Sequence, residues 1–221
     1  MGIEIFLQGT YRDDCKVMGA FSPELLGHSV RVGNMMRRIV AVLQKAPKVV
    51  VDMNLPSEED AFLYGVYHDI GKLFIPANIL NKPGALTREE YRIIQKHTEC
   101  GRQAIQQLHT VVFRNEYQKE MAIDTALSHH EAWDGSGYPC NLSGKQIPLI
   151  ARICAIADVF DALTSKRVYK ESWPREKALA YIEERSGKQF DPCLACVLLR
   201  DTSWAIISDH EQGNPHSLLA I

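Results

Sequence analysis

Recurring helix-start signals, with almost no strand-like alternation between them, confine this chain to an all-α fold. Ser22-Pro23-Glu24 sets a cap, a first-turn proline and an early carboxylate before an amphipathic run. Leu25, Val32, Met35, Met36, Ile39 and Leu43 recur there at helical spacing. Ser57-Glu58-Glu59-Asp60 opens a second helix ending near His68-Asp69. Thr87-Arg88-Glu89-Glu90 has the pattern of a capping box and opens a third, with Tyr91, Ile94, Gly101, Ile105 and Leu108 on one face. Further helices are expected from Asn115 to His130, from Pro148 to Leu163, from Pro174 to Arg185 before Gly187, and from Pro192 to Leu199. The expectation is one helical bundle of about seven main helices. It comprises an N-terminal segment at 1–20, a catalytic domain at 21–200 and a C-terminal tail at 201–221.

Charge narrows the partners. A net charge of −2 with pI near 6.4 provides no basic surface for long nucleic acids, yet leaves room for a small anion held by two or three local cations. No apolar run reaches the roughly 18 residues of a membrane span. Met1 to Thr10, with an early Glu4 and no basic flank, does not read as a signal peptide. Six scattered cysteines fit a reducing cytoplasm. Cys193-Leu-Ala-Cys196 lacks a second CxxC to complete a zinc site and reads as packed thiols.

The histidines carry the chemistry. His28 lies on the first apolar stripe, one turn after Glu24; His68-Asp69 closes the second helix. His97 falls between Ile94 and Gly101, His129-His130 ends the fourth helix, and Asp158 sits among small apolar residues in Cys154-Ala-Ile-Ala-Asp158. Each alone has a structural reading: a hydrogen-bonded core histidine, a cation at a helix C-terminus, a buried acceptor. Five such sites, each burying ionisable groups, are costly unless they share a partner, and one metal cluster would satisfy them all. Mixed imidazole and carboxylate ligands suit iron, manganese or zinc, and more than four of them suggests more than one ion.

The strings His68-Asp69-Ile70-Gly71-Lys72 and His129-His130-Glu131-Ala132-Trp133-Asp134-Gly135-Ser136-Gly137-Tyr138-Pro139 closely resemble the HD-GYP group of the HD phosphohydrolases. Ile75-Pro76, Lys82-Pro83-Gly84, Asp158-Val159-Phe160-Asp161-Ala162-Leu163-Thr164 and Phe190-Asp191-Pro192 resemble it in the same order, so the likeness runs from about Ser22 to Leu199. Ala77 stands where many members carry Asp, Val168 replaces a common Pro, and the stretch around His109 to Tyr117 is longer than usual.

That resemblance implies a centre of two or three divalent ions, iron or manganese first, with zinc, nickel or magnesium as alternatives. Its ligands would be His28, His68, Asp69, His97, His129, His130 and Asp158, with Asp69 bridging and Glu24 assisting a third ion. Lys72 would reach the scissile phosphate, with Asp69 and Lys72 as the catalytic pair. Arg167, Lys170 and Tyr138 would contact substrate. The implied reaction opens cyclic di-GMP to linear pGpG, then on to GMP. A preference for cyclic GMP-AMP, or a non-catalytic module binding a dinucleotide or partner, are the alternatives. A diguanylate cyclase of the GGDEF type is the implied partner at the Gly137-Tyr138-Pro139 loop.

Overall fold

The computed structural model describes residues 20–46, 54–108, 112–165 and 171–205. Among them are helices and turns, with one isolated bridge between Ser186 and Phe190 in place of any sheet. The α-helices are α1 (Pro23–Lys45), α2 (Glu58–Tyr67), α3 (Ala77–Leu80), α4 (Arg88–Gln95), α5 (His97–Gln107), α6 (Glu116–Ser128), α7 (Leu149–Thr164), α8 (Arg175–Glu184) and α9 (Pro192–Arg200). A 3-10 turn at Ile70–Phe74 follows α2, and others lie at Gly144–Gln146 and Thr202–Ala205.

The long α1 is the spine. Ser22 Oγ accepts the Leu25 amide at 3.2 Å with Pro23 in the first turn, so the start follows the capping chemistry of the sequence. Its buried stripe is Leu26, Val32, Met35, Met36, Ile39 and Leu43, while the neighbouring Leu25 is only partly buried. α2 lies directly against it. A Cβ on Gly65 would stand 2.6 Å from the Cα of Gly33, so two glycines let the backbones touch. α7 packs on another side of α1 with Ile150, Ile153, Ile156 and Phe160 buried.

Three expectations need correction. The helix expected to run unbroken from Thr87 to Leu108 is two helices. The Lys96 amide bonds the Ile93 carbonyl at 3.2 Å, a tightened turn that separates α4 from α5. His97 is buried, as its place on the inward face implies, whereas Tyr91, expected on the same face, is exposed. The capping box itself is present: Glu90 donates its amide to Thr87 Oγ1 at 3.2 Å and accepts the Thr87 amide at 2.8 Å.

The core also passes the boundary drawn at 200. Trp204 is fully buried, packs edge-on against Phe160 at 5.0 Å, and donates Nε1–H to the Leu198 carbonyl at 2.9 Å. Nor are the paired cysteines packed thiols. Leu194, Ala195 and Leu198 take the inward face of α9, leaving Cys193 half-buried and Cys196 exposed. No helix among the described residues is long and apolar enough to cross a membrane.

Candidate metal centre

Five elements deliver the inward polar groups to one place, and backbone geometry explains how. After α2, His68 caps the helix and Asp69 leads into the 3-10 turn, which returns against α5. A Cβ on Gly71 would stand 1.8 Å from the His97 carbonyl oxygen and 2.4 Å from the Gly101 amide nitrogen. Only glycine allows that approach, and it sets His97 beside Asp69. α6 ends at Ser128, so His129 is its cap and His130 begins the following loop.

Asp69 stands at the middle, with 1% of its surface exposed. Its Oδ2 lies 3.4 Å from His28 Nε2 and 3.3 Å from His68 Nε2; its Oδ1 lies 3.4 Å from His97 Nε2 and 3.7 Å from His129 Nε2. Asp158 Oδ1, from α7, lies 3.2 Å from His28 Nε2 and 3.9 Å from His68 Nε2. Donor atoms fall into three overlapping groups: His97 with His129 and His130; His28 with His68 and Asp69; His68 with His129 and Asp158. Within each group the atoms lie within 4.8 Å of one another.

The tautomers follow from the outer ring nitrogens. His68 Nδ1 lies 2.6 Å from the Gly65 carbonyl, and His97 Nδ1 lies 2.7 Å from that of Ile94. His129 Nδ1 lies 3.1 Å from the carbonyls of both Thr125 and Ala126. A carbonyl only accepts, so each Nδ1 carries the hydrogen and each Nε2 faces inward. Burial pushes His97 below its ordinary pKa; burial and then His130 push His129 well below, so both are neutral. Their Nε2 atoms nevertheless approach to 3.3 Å, lone pair toward lone pair. That contact is not a hydrogen bond. It is an arrangement that a cation between the two nitrogens would make favourable.

The charges also call for a cation. Burial would raise the carboxyl of Asp69, but the Lys72 ammonium, His68 and His28 override it and hold it well below the usual range. Asp158 is held low in the same way, chiefly by His28. Burial would lower His28, but hydrogen bonds to Asp158, Asp161 and Asp69 raise it to about 10. His68 Nε2 and Asp69 Oδ1 are buried with no hydrogen-bond partner. Orphaned donors of this kind, imidazole nitrogen beside carboxylate oxygen, fit a divalent metal ion.

Around the centre lie groups of several kinds. Lys72 Nζ donates to Asp69 Oδ2. Tyr138 lies nearly flat on His130, with ring centres 4.9 Å apart and an angle of 26°. Glu24 is exposed in the first turn of α1, four residues before His28. Arg167 and Lys170 lie outside the described residues, as does His109.

Sequence reasoning passed over three contributors. Asp161 Oδ2 accepts from His28 Nδ1 at 2.7 Å and from Arg31 Nη2 at 3.0 Å, while its Oδ1 accepts from Arg31 Nε at 2.6 Å. Its spacing of three from Asp158 on a helix was the available signal. Glu131, buried beside His130, accepts the amides of Cys140 at 2.6 Å and Leu142 at 3.0 Å and so pins the loop that carries Tyr138. Arg31, one turn after His28, was readable by the same spacing.

Known proteins resemble this chain over most of its length. The HD domain family model matches residues 20–194. A cyclic di-GMP phosphodiesterase of Vibrio cholerae is 46% identical over 127 residues, which are 58% of this chain and 26% of that protein. The 3′3′-cGAMP-specific phosphodiesterase 3 of the same organism is 33% identical over 208 residues, 91% of this chain and 40% of that one. The chain thus spans well under half the length of these relatives. An HDG"Y"P protein from Bdellovibrio bacteriovorus shares the fold, with a TM-score of 0.55 at 20% identity over 80% of this chain and 51% of that one.

Proposed function

Since this chain belongs to the HD domain family, a family that binds divalent metal, we propose that it is a phosphodiesterase opening cyclic di-GMP to linear pGpG. The observation that carries the reading is the neutral His97–His129 pair, Nε2 to Nε2 at 3.3 Å, beside the unpartnered Oδ1 of buried Asp69. The proposed ligands are His28, His68, Asp69, His97, His129, His130 and Asp158 for two ions, iron or manganese, with exposed Glu24 available to a third. Bound there, such ions supply Lewis acidity and a water made acidic enough to attack at neutral pH.

The chain's own groups do the rest. Asp69 reaches both halves of the cluster, one oxygen toward His28 and His68, the other toward His97 and His129, which suits a bridging carboxylate. Lys72, on the same turn, is placed to exchange its carboxylate partner for a phosphate oxygen and spread the charge that develops there. Water adds to phosphorus, the bond to the ribose 3′ oxygen breaks, and a proton passes to that oxygen. Arg167 and Lys170 remain proposed contacts to the second phosphate, and the Gly137-Tyr138-Pro139 loop a proposed contact to a diguanylate cyclase partner.

The relative named for 3′3′-cGAMP favours one second reading, the mixed dinucleotide as substrate. Incubation of metal-loaded protein with each dinucleotide, followed by chromatography, separates them. The expected result is pGpG from cyclic di-GMP, lost by about a thousandfold or more in Asp69→Ala. Faster turnover of cyclic GMP-AMP would reassign the substrate, and turnover of neither would defeat the proposal.

A further inference from the structure

We propose that Tyr91 is a stacking platform for one purine base of the cyclic dinucleotide, an inference resting on the substrate class proposed above. Two large hydrophobic side chains are exposed among the described residues, Tyr91 and Tyr117. Tyr117 is occupied elsewhere, its hydroxyl accepting from Asn54 Nδ2 at 3.1 Å. Tyr91, 48% exposed, is linked to His130 of the cluster through one intervening ring, that of Tyr138. Its ring meets Tyr138 edge-on, with centres 6.4 Å apart and planes at 77°, and Tyr138 lies flat on His130. Three rings thus lead outward from the cluster, and the last is open to solvent.

The element that carries Tyr91 is built to present it. Neither α3 nor α4 contributes a buried residue, so this segment is not there to fill the core. It is nonetheless held firmly. Besides the capping box, Lys82 Nζ donates to both oxygens of Glu90, at 2.9 and 2.7 Å, fixing the helix start beside Tyr91. An aromatic ring on a fixed backbone stacks a base at little entropic cost. One sugar separates the phosphate of a nucleotide from its base, so a phosphate at the cluster sets the base toward the rim where Tyr91 stands. A protein partner would find little apolar surface here, since no second exposed large hydrophobic accompanies the ring among the described residues.

Tyr91→Ala, Tyr91→Phe and Tyr91→Trp in the metal-loaded protein test this. KM for cyclic di-GMP and Kd for its hydrolysis-resistant phosphorothioate analogue, by calorimetry, are the readouts. Tyr91→Ala should raise both by about 5- to 100-fold, the range alanine substitution gives for one stacked base. Phe and Trp should hold them within about threefold, and kcat and metal content should change little in all three. An unchanged KM and Kd in Tyr91→Ala would overturn the platform and leave the ring as surface or a protein contact. Loss of metal, or equal weakening by Phe and Trp, would overturn it in favour of a structural role. Wild-type protein that binds the analogue without hydrolysing cyclic di-GMP would defeat the phosphodiesterase reading while the Tyr91 comparison still stands; wild-type protein that does neither would defeat both.

Discussion

At the scale of single residues, the centre depends on groups that never face a ligand. Asp161 orients His28 through Nδ1 and is itself held by the fork of Arg31; against the effect of burial, the hydrogen bond with His28 and then those with Arg31 keep its carboxyl low, at about 2. Fixing the tautomer of an imidazole in this way raises its basicity toward a metal. Asp161→Asn should therefore lower metal affinity by about 10- to 100-fold while leaving the helices intact. Competition against a chelator of known affinity reads the first, and circular dichroism the second. An unchanged affinity would reduce Asp161 to an anchor for Arg31. Asp161 was visible in the sequence only as a residue three after Asp158; that it serves His28, 133 positions away, depends on how α1 meets α7.

At the scale of elements, much was legible because capping chemistry is local. Ser22, Ser57, Thr87 and Asn115 each accept an amide from the first turn that follows, as their positions in the sequence imply. The break at Lys96 was not legible, since no proline or glycine marks it and the apolar spacing runs through it. The 3-10 turn after Asp69 abuts the first turn of α5 at Gly71, a tertiary contact just past the break that no local signal announces. Gly71→Ala should accordingly push these two elements apart. A loss of about 1–3 kcal/mol or more is expected, with reduced metal content, because the clash is with backbone and not with a flexible side chain. Urea unfolding would measure the loss. Gly84→Ala is the control, since nothing lies within 4 Å of its would-be Cβ and only its positive φ is strained. Equal losses at both positions would argue against the close approach as the reason for Gly71.

At the scale of the whole molecule, α1, the α2 turn, α5, the end of α6 and α7 each contribute side chains to one buried cluster. The order of the motifs in the sequence could suggest such convergence but not the distances, which depend on the Gly33–Gly65 contact and the Gly71 approach. The tie between α7 and α9, where Arg152 meets Asp191 at 2.6 Å while Asp191 caps α9, closes the bundle and accounts for the Phe190-Asp191-Pro192 string. The described portions of 1–20 and 201–221, by contrast, carried no motif, and Trp204 entered the core unannounced. The central claim is that this convergence exists to hold metal. Elemental analysis of protein purified without oxygen tests it most directly, comparing wild type with Asp69→Ala, His97→Ala and His210→Ala. The account predicts about two divalent ions per chain in wild type and in His210→Ala, and a clear loss in the other two. Wild-type protein that takes up no divalent ion, or an equal loss from His210→Ala, would contradict it.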